Sequence, residues 1–361
     1  MRSKLAIKYK TLMMKIACFR LYCGPDCKRK AASRLSGPMA QAEYFPRYGL
    51  ENYSLVLPFE SSFDSVRSTQ WMQENWYHSF TWSFVYVACI YLGQKFMETR
   101  KPFALDWPLF IWNLGLAVFS ILGVVRMTPE MFWSVNSNSL KYSICTASFA
   151  QGVTGFWTEK FAMSKIAEFG DTAFIVLRKR PLLFLHWYHH VSVLVYTWHA
   201  YKDHTASGRW FIWMNYGVHA FMYSYYSLRA LRFRLPKPVA MLVTVLQILQ
   251  MVVGIVIAVS VVNIKLGGEQ CQQTWDNLYY SFAIYFSYFL LFCNFFYHTY
   301  LKKNNRYSVA ATKKSDDAVK VAHDGEEAGT EGENLTQEEK PVEAEEKQQG
   351  RKRRSMMPRR A

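Results

Sequence analysis

Three histidines fall within five consecutive residues, His186-Trp187-Tyr188-His189-His190, near the start of an apolar run from Leu182 to Tyr201. Ionisable groups at membrane depth are costly, rarely face lipid, and mark proton, ion or substrate sites. A neutral imidazole can act near pH 7 as general base, nucleophile or metal ligand. Chemistry carried out by histidine inside a membrane is therefore the first expectation.

Three other apolar runs carry polar residues at helical spacing. Lys165, Glu168 and Asp171/Thr172 form one stripe; Asn215, His219, Met222/Tyr223 and Tyr226 a second; Thr244, Gln247 and Gln250 a third. Taken singly, such a stripe is ordinary glue between membrane helices, worth about 1 kcal/mol or less per pair. Depth argues for more. Asp171, His189, His219 and Gln247 each lie roughly seven to ten residues inside the basic boundary of their run, about 10–15 Å at 1.5 Å per residue. Four helices delivering acid, base and amide to one level imply a shared pocket. There Glu168 and Asp171 would orient imidazoles, Lys165 would neutralise a carboxylate, and Asn215, Gln247 and Gln250 would donate to an oxyanion.

A metal is the competing use of these ligands. Di-iron membrane enzymes need eight or so histidine ligands in several boxes. This chain has nine histidines, of which His78, His199, His204, His298 and His323 are isolated. Zinc on His186 and His190 with Glu168 or Asp171 stays open, although no metal is expected.

The elements that must position these groups are long and apolar. Runs near 80–97, 108–126, 182–201, 209–230, 238–265 and 276–301 have the length needed to cross about 30 Å of hydrocarbon. The polar run at about 157–177 makes a seventh. Mean hydropathy is only −0.08 because both ends are charged. The expected fold is an all-α polytopic membrane protein with seven transmembrane helices over 55–306, flanked by a basic extension (1–54) and a disordered charged tail (307–361).

Orientation follows the Lys/Arg bias of short loops. One set of connections holds Arg100, Lys101, Arg178, Lys179, Arg180, Arg229, Arg232, Arg234, Lys237, Lys302, Lys303 and Arg306. The other holds Arg126, Lys141, Lys202, Arg209 and Lys265. The richer set is read as cytosolic, which leaves the N-terminus lumenal and the tail cytosolic. Asn52-Tyr53-Ser54 then becomes a usable glycosylation acceptor, and Asn334-Leu335-Thr336 does not. Cys145 and Cys271 fall near lumenal connections and are expected to form a disulfide, with two unpaired thiols as the alternative. Cys89 and Cys293 are expected to be buried apolar residues. Cys18, Cys23 and Cys27 show no metal spacing.

The first forty residues carry ten Lys/Arg against one acid, Asp26. A transit peptide, a basic surface helix and an extension upstream of Met39 all fit. Arg351-Lys352-Arg353-Arg354 could be read by retention machinery or be plain solvated tail.

At its polar stripes the chain resembles the fatty-acid elongase family, the condensing enzymes of the endoplasmic reticulum. Four motifs occur in order: Lys165-x-x-Glu168-x-x-Asp171-Thr172, the box His186 to His190, Asn215 followed by Val218-His219-x-x-Met222-Tyr223-x-Tyr225-Tyr226, and Thr244-x-x-Gln247-x-x-Gln250. The box surroundings and Gln70 to Trp76 resemble the subgroup acting on saturated and monounsaturated chains of about twelve to sixteen carbons. The resemblance implies that acyl-CoA and malonyl-CoA condense, with loss of carbon dioxide, to a 3-ketoacyl-CoA two carbons longer. It implies no bound cofactor. His189 would accept the acyl group, with His186, His190 and His219 in support. Arg178, Lys179, Arg180 and Arg232 at the rim would hold coenzyme A phosphates, and Thr172, Tyr223, Tyr226, Thr244 and Gln250 would line the substrate path. Below the site about 15–20 Å of bilayer remains for an acyl-chain tunnel within the bundle. Expected partners are membrane lipid, the ketoacyl-CoA reductase, dehydratase and enoyl-CoA reductase of the cycle, and a second copy in a homodimer; no nucleic acid is expected. The rival class is a seven-span lipid transporter or receptor in which the stripes are only helix glue.

Overall fold

A computed structural model describes residues 47–302. The three N-terminal cysteines, His323, Asn334 and Arg351 to Arg354 lie outside the described residues. Among those described there are helices and no strands.

A short helix α1 (Ser65–Asn75) is capped by Asp64, whose Oδ1 accepts from the Val66 and Arg67 N–H groups at 3.0 Å each. It leads into α2 (His78–Met97) and α3 (Asp106–Trp133). A brief α4 (Leu140–Cys145) precedes α5 (Gly152–Ala167) and α6 (Gly170–Leu177). Four long helices follow: α7 (Phe184–Lys202), α8 (Gly208–Ala230), α9 (Lys237–Leu266) and α10 (Trp275–Phe296). Among the described residues three helices, α3, α9 and α10 with their extensions, are long and apolar enough to cross a membrane, over Asp106–Asn138, Lys237–Leu266 and Trp275–Leu301. The protein is a multi-pass membrane protein.

Its faces are inverted relative to a water-soluble bundle. On α3, Asn113 and Ser120 are buried while Trp107 and Ile111 are about two-thirds exposed (66% and 65%). With lipid outside, apolar residues gain nothing by turning inward, and small or polar residues pack between helices. Cys89 follows the same rule. It is exposed and Cys293 is half-buried, which corrects the expectation that both are buried: an apolar thiol needs no shelter from hydrocarbon.

Close approaches hold the bundle. A Cβ on Gly123 of α3 would lie 2.4 Å from the Tyr216 ring of α8, and one on Gly254 of α9 would lie 2.2 Å from Tyr285 of α10. At one end of the bundle Cys145 and Cys271 are joined by a disulfide. Beside it Arg209 and Glu130, both fully buried, pair at 2.8 Å. At the opposite end Asp106 accepts from Arg178 at 2.8 Å and Arg232 at 2.6 Å, tying the starts and ends of three helices.

The polar run differs from the single helix expected over 157–177. It starts earlier, at Gly152, and is broken between Ala167 and Gly170. Across the break the N–H groups of Phe169, Asp171 and Thr172 reach back three residues rather than four, to the carbonyls of Ile166, Glu168 and Phe169. The tighter winding rotates Asp171 and Thr172 relative to Lys165 and Glu168.

Candidate active site

The break separates the polar stripe into two groups with different partners. Lys165, on the last turn of α5, donates to Glu168 Oε1 at 2.7 Å and to Asn215 Oδ1 of α8 at 3.3 Å. Its ammonium also lies 4.0 Å from the Phe161 ring centroid. Ser164 Oγ donates to the same Glu168 oxygen at 3.0 Å, while Glu168 Oε2 is buried with no partner. Lysine has only donors, so Asn215 must turn its carbonyl oxygen to Lys165, and its NH2 is left for another acceptor.

Asp171 has both oxygens occupied. Tyr223 of α8 donates to Oδ2 at 2.8 Å, and Trp112 of α3 donates to Oδ1 at 2.6 Å. Trp112 reaches it only because residue 170 is glycine: a Cβ there would sit 2.5 Å from the indole. Thr172 stands between α2 and α7. Its Oγ1 is 2.7 Å from the Tyr86 hydroxyl and 2.9 Å from His186 Nε2.

The imidazoles cluster on α7. The His186 and His190 rings are 4.5 Å apart, and His189 stands edge-on to His190 at 5.5 Å. His190 is buried and its Nδ1 has no partner. His189 lies 5.0 Å from the Tyr288 ring of α10, which Ser192 anchors through a 2.7 Å hydrogen bond. On α8, His219 packs edge-on against Tyr223 at 5.3 Å and lies within electrostatic reach of His189 and Lys165. On α9, Gln247 Nε2 faces Met222 Sδ at 3.4 Å.

The four stripes thus meet: Lys165 with Asn215, Asp171 with Tyr223, Thr172 with His186, and Gln247 with Met222. The pairing within them differs from the expectation that carboxylates orient the rings. Among the described residues no carboxylate hydrogen-bonds an imidazole of the box; a threonine does so instead. Thr244 turns toward Tyr300 at 3.3 Å, Gln250 is buried deeper on α9, and Tyr226 is half exposed. Arg178 and Arg232 are held by Asp106, and Lys179 donates to the Glu98 and Arg100 carbonyls at 3.1 and 3.0 Å. No group of three or more His, Cys, Asp or Glu side chains is placed to hold a metal among the described residues.

Sequence reasoning missed Tyr86, Trp112 and Tyr288. Each is one of several aromatics on its helix, so nothing in the sequence singles it out.

Residues 71–308 match the family model described as ELO: GNS1/SUR4 family. The chain belongs to that family, the fatty acid elongases. It is 68% identical over 280 residues to a Caenorhabditis elegans protein named "Putative fatty acid elongase 3", covering 77% of this chain and 88% of that one. It is 49% identical over 249 residues to the Gallus gallus "Very long chain fatty acid elongase 6" (69% and 94% covered) and 47% over 246 residues to the Homo sapiens protein of that name (68% and 92%).

Proposed function

We propose that this elongase is a very-long-chain 3-oxoacyl-CoA synthase of the endoplasmic reticulum membrane that extends saturated and monounsaturated acyl chains of about twelve to sixteen carbons. The Asp106 end of the bundle faces the cytosol and the disulfide end faces the lumen. The polar helix pair α5–α6 supplies the seventh crossing. Asn52, exposed beside the disulfide end, is the glycosylation acceptor.

The observation that carries the reading is the Lys165–Glu168–Asn215 group beside three imidazoles, with Glu168 Oε2 and His190 Nδ1 left unpaired. Unpaired buried polar atoms are costly, and an incoming substrate can satisfy them. The His189 imidazole attacks the acyl thioester carbonyl, the C–S bond breaks, and coenzyme A leaves as the thiol with the proton. Asn215 and Gln247 donate to the oxyanion that forms. Malonyl-CoA then loses carbon dioxide, and the resulting enolate attacks the acyl carbon. The carbon–carbon bond forms, the acyl–nitrogen bond breaks, and the departing imidazolide takes a proton from solvent to restore the imidazole. Thr172, steadied by Tyr86, holds the His186 tautomer. Lys179 and Arg180, with Arg178 and Arg232, present the rim to coenzyme A phosphates. The product then passes to a ketoacyl-CoA reductase.

Purified protein incubated with palmitoyl-CoA and labelled malonyl-CoA should yield labelled 3-oxostearoyl-CoA. With palmitoyl-CoA alone, intact-mass analysis should show one added acyl group that His189→Ala abolishes. An acyl group found on Cys89 or Cys293 would overturn the histidine assignment.

A further inference from the structure

The end of the bundle opposite the disulfide is drawn together by one acid. Asp106, at the start of α3, accepts on Oδ1 from Arg178 at the end of α6, at 2.8 Å. On Oδ2 it accepts from Arg232, in the link between α8 and α9, at 2.6 and 3.1 Å. The surroundings are strongly basic. Residues 98–106, 178–183 and 229–237 hold nine Lys/Arg against two acids, Glu98 and Asp106. A single carboxylate therefore faces two guanidiniums, and positive charge is left over. Each guanidinium has five N–H donors, so three contacts leave most of them open to another acceptor.

Arg232 is the loosely held member. Its side chain is 84% exposed, against 24% for Arg178 and 26% for Asp106. A mostly exposed ion pair adds little stability. The link nevertheless turns through a left-handed backbone at Arg232, with φ at 64°, which is costly for a residue with a Cβ. Strain placed on so weak a contact points to a use other than stability.

The distances fit one ligand. His219 and Arg232 are thirteen residues apart along and just past α8, about 20 Å at the helical rise. On α3, Trp112 contacts Asp171 and lies six residues past Asp106, about 9 Å. Coenzyme A carries its diphosphate at the end of a pantetheine arm as long as four to five extended residues, about 15 Å. A thioester among the imidazoles thus leaves its phosphates at the level of these arginines.

We propose that Asp106 is a stand-in for a coenzyme A phosphate. It holds Arg178 and Arg232 ready in a forked arrangement, the phosphate takes them over on binding, and the competition sets the affinity for the thioester substrates. Carboxylate and phosphate both suit the arginine fork, but the phosphates bring more charge and more acceptor oxygens. The inference rests on the coenzyme A reading above.

The test uses purified full-length protein in uncharged detergent, with palmitoyl-CoA and labelled malonyl-CoA. Asp106→Asn should lower KM for malonyl-CoA about threefold to fivefold, and Arg232→Gln should raise it by a similar factor. In the Arg178→Gln/Arg232→Gln background, Asp106→Asn should shift KM by less than about twofold. Should that background not fold, Arg232→Gln alone replaces it, and there the effect of Asp106→Asn should at least halve. A KM raised by Asp106→Asn would make the acid a plain brace. An equal fall with and without the arginines would make it a remote repulsive charge. A fall seen only after anionic phospholipid is added would assign the arginines to lipid headgroups. Each of these overturns the proposal and leaves the elongase reading intact, whereas no turnover by wild type would overturn both.

Discussion

Two buried ion pairs sit at different levels of the bundle and are built to opposite standards. Near the disulfide end, Arg209 meets Glu130 through three contacts of 2.8 to 3.1 Å, and its remaining donors reach the Ser143 carbonyl and Ser148 Oγ. Ser148 also donates to Glu130. Neither carboxylate oxygen is orphaned. At the level of the histidines, Lys165 and Glu168 are equally buried, but one Glu168 oxygen has no partner. Removing two charges from water costs several kcal/mol per ion, and only a fully satisfied geometry recovers it. The satisfied pair is a clamp; the under-satisfied pair leaves one buried carboxylate oxygen free to accept, which is what the proposed function asks of it.

The sharpest way to break this contrast is to remove one partner of the clamp. Arg209→Met leaves the Glu130 carboxylate buried and nearly unpaired, and should cost about 3–5 kcal/mol of stability. A thermal midpoint in detergent equal to that of wild type would remove the clamp from the argument. Glu168→Gln makes the complementary case. The amide still accepts from Lys165 and Ser164, so stability should change by less than about 1 kcal/mol. Turnover should fall by about 10²–10³; a matching fall in thermal midpoint would show that the two pairs do the same job.

A smaller effect is expected from Tyr86→Phe, which removes the hydroxyl behind Thr172 and loosens His186. We expect kcat about tenfold lower with KM unchanged, and a change confined to KM would contradict a positioning role. The smallest effect concerns a second clamp. Glu60 lies outside the membrane-crossing helices and accepts from Arg126 at 2.6 and 2.8 Å and from Trp157 at 2.7 Å. Burial pushes its carboxyl up, but hydrogen bonds from Arg126, the Leu57 N–H and Trp157, with the Arg126 charge, together hold it below the ordinary value of 4.5. Its stabilisation is therefore present above that value and is lost as the pH falls through the depressed one. Glu60→Gln should flatten the acid limb of the stability profile, and profiles that superimpose would exclude this linkage.

Much of the site was legible because each helix carried its own record. Lys165, Glu168 and Asp171 share a stripe at helical spacing, and counting residues from the basic boundary placed them level with His189, His219 and Gln247. The break at Glu168 was not legible, because it is only a local tightening of the helix, with ψ of −15° at Glu168 and −23° at Phe169, and no proline marks it. The assignment of carboxylates to imidazoles failed for a related reason. Depth does not say which way a side chain turns, and Thr172 rather than Asp171 faces His186. The arginine cluster was legible only in part. Asp106 was invisible as its partner because 72 and 126 residues separate it from Arg178 and Arg232.

Sequence alone showed which residues are chemically capable and which helices carry them, because an α-helix has a fixed rise and period. Tertiary structure alone decided who pairs with whom. Trp112 reaches Asp171 through a notch left by Gly170, and Tyr86 reaches His186 through Thr172. Such contacts depend on how neighbouring helices rotate and pack, and that relation between distant segments is written in no local spacing.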